Sequence, residues 1–358
     1  MSVGDGAEVP GLCAHIVVKR EHFTVDVAMR AATGETLAVM GPSGAGKSTL
    51  LQALAGLQKL TAGEISVEGR TVDRVAAPRV RATPMDRGVV LLGQDARLFP
   101  HLSVRENVAF GPRSKGAAAR TARDTAEEWL IRVGLPGAGD RMPRELSGGE
   151  GQRVAVARAL AASPRVVLLD EPLVALDPET AGDIRRMLRD QLAGTTTVAV
   201  THDAADAVAL ADRLIVVESG RATQAGPVRE VLSAPASDFV ASIAGVNRLV
   251  GIASEGAWQS GHIRLTSADA ESRALAADGG ARIAAVFRAD AVRILAADAP
   301  DGWETTITRF EPTLAGVRAH TQSGCAVDLS LHEVAGRVPG DVIRLHVAPS
   351  DVRLVPAV

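Results

Sequence analysis

The chain has 358 residues and a formal net charge of −3, from 39 Lys and Arg against 42 Asp and Glu. At about 150 residues per domain this length predicts two domains, and 46% hydrophobic with 23% charged residues is a globular composition, not a disordered or fibrous one. The near-neutral balance argues against a nucleic-acid binder that works by charge alone, and no apolar run approaches the roughly 18 residues of a membrane span.

The opening MSVGDGAEVP reads as a loose tail, without the basic and apolar stretches of a secretory signal. Runs with β character follow between Cys13 and Met29, alternating as antiparallel strands do. From Thr36 to about Val240 the pattern changes. Apolar strands at Thr36–Met40, Val89–Leu92, Val166–Leu169, Thr197–Val200 and Leu214–Val217 alternate with helical stretches, which predicts α/β with a largely parallel, buried sheet. The segment from Ser114 to Val133 has helical periodicity and reads as an insertion beside that sheet.

After Gly245 short strand-like pieces alternate with Gly, Asp and Pro turns, with little helical pattern. Gly280, Ile283, Val292 and Arg293 recur sixty residues later as Gly340, Ile343, Val352 and Arg353. Residues 246–358 are therefore expected to form a β domain of two related lobes, about 246–295 and 303–358. Cys13 and Cys325 belong to no paired or metal-binding spacing, which fits a reducing cytoplasm.

Residues 41–49 read Gly41-Pro42-Ser43-Gly44-Ala45-Gly46-Lys47-Ser48-Thr49, directly after the Thr36–Met40 strand and before a helix-like KSTLLQALAGL. This is GxxxxGK[ST] in the strand–loop–helix context that the motif requires. Glycines without Cβ let the backbone turn sharply and aim several N–H groups at one anion. The helix that starts there adds its partial positive charge. Lys47 supplies an ammonium for the outer phosphates and Ser48 a hydroxyl for Mg²⁺. A chance Gly-rich turn is the bland alternative, and the context argues against it.

Residues 166–172 read Val-Val-Leu-Leu-Asp-Glu-Pro, an apolar strand ending in two acids. Such a strand delivers its carboxylates to the carboxyl edge of the sheet, where open α/β folds bind ligands. Asp170 is expected to hold Mg²⁺, directly or through water, and Glu171 to orient or deprotonate an attacking water.

Residues 146–152, Leu-Ser-Gly-Gly-Glu-Gly-Gln, run into a helix-like RVAVARALAA. Ser147 can cap that helix, and Gly148 and Gly149 let N–H groups approach an anion. One chain thus carries two phosphate-binding helix starts. With Gln94 in LGQDARLFPHLSV, Ala175-Leu176-Asp177, and His202 in VTHD, the sequence strongly resembles the ATP-binding cassette family over about residues 12–240. The resemblance implies a P-loop NTPase fold with a helical subdomain at about 95–163, and ATP and Mg²⁺ as cofactors. It implies two copies head to tail, each ATP lying between one copy's phosphate loop and the other's Ser147, Gly148, Gly149 and Glu150. It also implies that Gln94 links the Mg²⁺ and water site to a transmembrane partner, that His202 contacts the γ-phosphate, and that Asp177 communicates across the dimer.

Three departures from the family stand out. The signature has Glu150 where Gln is commoner, Val174 stands where a small polar residue is usual, and no aromatic occupies the adenine-stacking region. Phe23 lies near that region but reads as a strand core residue. A separate cassette with a C-terminal β domain resembles the ATPase subunits of binding-protein-dependent importers. The segments QDARLFPHLSVRENVAFG and ESGRATQAGPVREVLSAPASDFVASIAGVN most resemble molybdate-import subunits. The lobes resemble OB-like Mop or TOBE domains that take molybdate or tungstate. Asn247, Arg248, Ser323 and Ser350 are the candidate oxyanion ligands, with a ligand-free dimerisation or regulatory scaffold as the equal alternative. The segment Arg97–Val104 either packs in the helical insertion or helps form the groove for a permease. The implied place is peripheral, on the cytoplasmic face of the cell membrane, beside permease subunits and, indirectly, a substrate-binding protein. Other cargoes (sulfate or thiosulfate, ferric iron, polyamine, sugar) stay open, as does a soluble cassette ATPase outside transport; a plain P-loop kinase leaves LSGGE and His202 unexplained.

Overall fold

The computed structural model describes residues 9–174, 177–313 and 316–357. The chain divides into two compact units between Val228 and Arg229. The first unit opens with an antiparallel pair, β1 (Leu12–Arg20) and β2 (Phe23–Ala31), as their alternation predicts. Next come β3 (Thr36–Met40), α1 (Lys47–Leu54), β4 (Ala62–Val67), β5 (Arg70–Arg74), β6 (Val80–Arg81) and β7 (Val89–Leu92). Three helices form the insertion: α2 (Val104–Ser114), α3 (Ala119–Arg132) and α4 (Gly148–Ala161). The unit ends with β8 (Val166–Asp170), α5 (Pro178–Leu192), β9 (Thr196–Val200), α6 (Ala204–Leu210), β10 (Arg213–Glu218) and β11 (Arg221–Pro227).

All eleven strands form one sheet in the order β6-β5-β4-β1-β2-β11-β10-β3-β9-β8-β7. From β10 to β7 every pairing is parallel, and every residue of β3 and β9 is buried, as expected where helices cover both faces. The expectation of a largely parallel sheet from Thr36 onward needs one correction. β4, β5 and β6 fall in that stretch but pair antiparallel, through β1. The period of two along β8 serves two cores at once. Val166 and Leu168 face one shared with β1, β2 and α1, while Val167 and Leu169 face one built with α2, α3, α4 and α5.

Two buried polar side chains fix loops around this frame. Arg87 donates to the carboxylate of Asp73 at 2.5 Å and to the Ala53 carbonyl at 3.1 Å, which ties down the end of α1. Asn107, fully buried on α2, accepts from the Phe99 amide and donates to the carbonyls of Phe99, Leu102 and Ser103. The loop ahead of α2 is thereby pinned from within.

The second unit begins earlier than the sequence boundary near 240–246, with α7 (Val228–Ser233) and α8 (Asp238–Ala244). Then follow β12 (Val246–Ser254), β13 (Ala257–Ser260), β14 (Ile263–Leu265), α9 (Ala270–Ala277), β15 (Arg282–Arg288) and β16 (Arg293–Leu295). The rest is β17 (Trp303–Thr313), β18 (Gly316–Thr321), β19 (Ala326–Leu329), α10 (Leu331–Val334), β20 (Val342–His346) and β21 (Arg353–Pro356). The repeat falls on like elements: strand, 3₁₀ turn and short strand at 282–295, and the same again at 342–356. The lobes are not separate segments, however. One sheet runs β14-β13-β12-β15-β21 and the other β16-β20-β17-β18-β19, so each half lends its last strand to the other's sheet. Both sheets close over one core that includes Trp258, Phe287, Trp303 and Leu345.

Candidate functional site

The strand–loop–helix reading of residues 36–54 holds in detail. β3 ends at Met40, the loop follows, and α1 starts at Lys47 with Gly46 before it at φ +102°. A Cβ on Gly46 would lie 2.6 Å from Val25 Cγ2, and one on Gly41 2.0 Å from the Val217 carbonyl oxygen. These two positions accept glycine alone. Gly44, at φ +79°, has open space where a Cβ would point, so the middle of the loop is accessible. Pro42 accepts from the Ala45 amide at 3.1 Å, and Ser43, Gly44 and Ser48 are exposed. Lys47 Nζ donates to the carbonyls of Gly41 and Pro42 at 2.6 and 3.1 Å, at the mouth of the loop. Phe23 is partly buried against the core, as read from the sequence, yet its ring also comes 3.3 Å from where a Gly46 Cβ would sit.

Asp170 and Glu171 stand at the carboxyl end of β8, beside β9. Burial pushes the Lys47 ammonium pKa down, while the charges of Glu171 and then Asp170 push it back. Burial, then the neighbouring Glu171, raises the Asp170 carboxyl above its usual range, and Lys47 opposes this. Three charges thus share one partly desolvated spot. Glu171 has φ +49°, a conformation that a non-glycine residue keeps only where its surroundings hold it. Its amide donates to Val200 O at 3.0 Å, Gln94 Nε2 donates to its Oε2 at 3.3 Å, and His202 Nδ1 lies 3.5 Å from the same oxygen. Gln94 and His202, 77 and 31 positions from Glu171 in the chain, therefore converge on one carboxylate.

The residues on either side of His202 are tied by a network that the sequence reading missed. Thr201 Oγ1 accepts from the Asp203 amide and donates to Asp206, which also takes Arg185 of α5 at 2.8 Å. That same helix is capped by Asp177, whose carboxylate accepts from the Thr180 amide. Ala175 and Leu176, just before it, lie outside the described residues; Val174 is described and exposed.

Ser147, Gly148 and Gly149 open α4 elsewhere; Ser147 and Gly148 line a cavity of about 340 Å³ with Gln94, Leu98, Pro143 and Pro172. None of its lining residues belongs to the Gly41–Thr49 loop. Ser147 is the cap: its Oγ accepts from the Glu150 amide, and the Glu150 carboxylate accepts from the Ser147 amide at 2.8 Å. Arg141 donates to that carboxylate at 2.7 Å. The unusual Glu150 is thus committed to shaping the turn, and Arg141 first, then the Ser147 amide, hold its pKa at about 2. A carboxyl with a lowered folded pKa stabilises above its unfolded value and loses that contribution as pH falls through the folded one. The stability difference between wild type and Glu150→Gln is therefore expected to be constant above about pH 4.5 and to shrink toward pH 2. Denaturant melts across that range check this; a difference that grows on acidification refutes the assignment.

Among the described residues no group of three or more His, Cys, Asp or Glu is placed to hold a metal. The residues at the loop fit Mg²⁺, which takes one or two protein oxygens beside phosphates and water: the Ser48 hydroxyl is exposed there and the Asp170 carboxylate interacts with Lys47. Leu98 packs against the helical core and Leu102 is half-buried. Phe99 sits under the Arg158 guanidinium at 5.2 Å and beside the half-exposed Phe110 at 4.7 Å. Phe99, Phe110 and Arg158 line, with Val90, Gly93 and Ala159, a groove of about 370 Å³. In the second unit Asn247, Arg248 and Ser323 border one cavity of about 530 Å³, whereas Ser350 lies on the exposed 3₁₀ turn before β21. Each of the three is committed elsewhere: Asn247 pairs twice with Ala326, Arg248 binds Pro235 O and Asp238, and Ser323 Oγ meets Thr321 and Trp303.

A family model described as ABC transporter matches residues 25–174. The solved ATP-binding cassette MJ0796, a dimer in a post-hydrolysis state bound to ADP and Pi, superposes with a TM-score of 0.52 at 30% identity, over 61% of this chain and 99% of that one. This chain belongs to the ABC transporter family. Among curated relatives, the molybdenum import ATP-binding protein ModC of Mycobacterium tuberculosis (strain H37Rv) is 49% identical over 233 residues. The Fe(3+) ions import ATP-binding protein FbpC of Streptomyces avermitilis is 48% identical over 222 residues. The match covers 63% of this chain and of ModC, and 62% of this chain and of FbpC, so the chain spans under two thirds of the length of these relatives. No helix among the described residues is long and apolar enough to cross a membrane.

Proposed function

We propose that this chain is the ATP-hydrolysing subunit of a binding-protein-dependent importer, working as two copies head to tail beneath a permease at the cytoplasmic face of the membrane, with molybdate or tungstate as cargo. The observation that carries the ATPase reading is the convergence of Gln94 and His202 on the Glu171 carboxylate, beside Asp170 and the Lys47 ammonium. The loop amides and Lys47 bind the β- and γ-phosphates of ATP. Glu171 accepts a proton from the attacking water; Gln94 and His202 hold its carboxylate in place. Bound Mg²⁺ supplies charge neutralisation at the phosphates, with Ser48, Gln94 and Asp170 as its ligands from this chain. The Ser147–Gly149 start, with Glu150 bracing it, serves the partner copy's nucleotide, and Asp177 lies at the seam.

The groove at Phe99 and Phe110 supports a permease helix as its occupant, since the half-exposed Phe110 at a concave site is an interface signal. The commitments of Asn247, Arg248 and Ser323 support a scaffold role for the β unit over an oxyanion site. The cargo reading rests on the likeness to ModC; the likeness to FbpC, one percentage point lower, supports ferric iron as the second reading. Reconstitution of the full chain with its permease and binding protein in vesicles decides between them. ATP-dependent uptake of labelled molybdate, competed by tungstate but not by ferric iron, is expected. Uptake of iron alone transfers the assignment to the second reading.

A further inference from the structure

Gln152 is only 3% exposed, on a stretch of α4 whose other buried residues are Gly, Ala, Val and Leu. A buried amide in such surroundings destabilises the fold unless its polar atoms are met. Its Nε2 donates to the backbone oxygen of Pro172 at 3.2 Å. Pro172 directly follows Glu171, the residue held at φ +49°. That turn is held from several sides, His202 among them. The Glu171 amide reaches β9 through Val200 O, Gln94 reaches the Glu171 carboxylate, and Gln152 reaches in from the helix that Ser147 opens.

Gln152 stands five residues beyond Ser147, about one and a half helical turns along a continuous rod. Ser147, Gly148, Gln152, Pro172 and Gln94 all line the one cavity of about 340 Å³. Whatever displaces the start of α4 therefore moves Gln152 with it, and the hydrogen bond passes that movement to the Glu171 turn.

We infer that Gln152 is a positioning residue coupling the two nucleotide sites of the assembly: it joins the Ser147–Gly149 start, which faces the partner copy's ATP, to the Glu171 turn, which serves the chain's own. The inference rests on the two-copy reading proposed above. The cavity that Gln152 lines includes no residue of the Gly41–Thr49 loop, and its hydrogen bond goes to Pro172. Its loss acts on turnover and on cooperativity between the sites, not on the affinity of a lone copy. Coupling of this kind is reciprocal and is typically worth a factor of about 5 to 150.

The experiment is ATP hydrolysis by the full chain across ATP concentrations, for wild type, Gln152→Ala and Gln152→Met, the last keeping volume without the donor. Wild type is expected to show a Hill coefficient well above one. Both variants should fall to about one with kcat roughly tenfold lower. Binding of a fluorescent ATP analogue to copies diluted until monomeric should stay within about twofold of wild type, since no ligand contact is lost. Cooperative wild-type kinetics that both variants retain at full kcat overturn the inference and leave the two-copy reading standing. A wild-type rate per chain that is non-cooperative and unchanged by dilution overturns that reading and the inference together. Variants that lose monomer affinity as steeply as kcat show Gln152 to be a part of the fold only, which also overturns the coupling.

Discussion

Glu171→Gln is expected to lower ATP hydrolysis by a factor of about 10² to 10⁴, the usual contribution of a positioned general base, while nucleotide still binds. The substitution changes one atom. It keeps the shape of the side chain and both neighbours on it, Gln94 and His202, but replaces a carboxylate, which can accept a proton, by an amide, which is a far weaker base. The backbone at φ +49° is untouched, so the variant should melt close to wild type. Phosphate release and binding of a fluorescent nucleotide, measured on the same preparation, separate the two effects. Hydrolysis within about threefold of wild type, a loss too small for a general base, would falsify the role given to Glu171, and uptake that continues unimpaired in reconstituted vesicles would do so independently.

Lys47→Ala is expected to act a step earlier, on binding itself. The ammonium stands over the loop with its donors on the Gly41 and Pro42 carbonyls, free to turn toward a phosphate. Charged hydrogen bonds are worth about 1.5 to 3 kcal/mol each, so losing one or two of them weakens ATP binding by roughly tenfold to 10⁴-fold. A second consequence follows from the charges. Lys47 is the group that holds down the pKa of Asp170 against burial and Glu171, so the Asp170 carboxyl should rise further in the variant. Its pH–binding profile should then shift toward higher pH. Arginine at this position is not expected to restore binding, because a planar fork does not replace a compact ammonium in a closed loop. Calorimetric titration with ATP settles the matter, and an affinity unchanged within about threefold refutes the assignment.

How much of this was legible in the sequence depended on whether the signal was local. Gly41–Thr49 lies within nine residues, and its chemistry is carried by those residues themselves, so the loop, its strand and its helix were read correctly. Asp170 and Glu171 were placed at a strand end for the same reason. That Gln94 and His202 belong near the nucleotide came only from the family resemblance, and their meeting at Glu171 was not read at all, since nothing local links positions 77 and 31 residues away. The left-handed turn at Glu171 left no trace, because the sequence offers no glycine there to announce it. Gln152 did leave one: a lone amide at a buried position of an otherwise apolar helix, visible once the helix face is assigned. In the β unit, α9 escaped notice because eight residues carry little period. The crossing of β16 and β21 was beyond reach, as runs of three and four residues pair wherever tertiary contacts direct them.

That crossing has a consequence for how the β unit came to be and how it holds together. Each half alone would carry a dangling terminal strand and an open sheet edge of matching length. Two such halves satisfy one another reciprocally, in the manner of subunits that trade arms. The unit therefore has the architecture of an exchanged pair sealed into one polypeptide. Neither half can be cut away as a module, because the excision removes a strand from the sheet that stays behind.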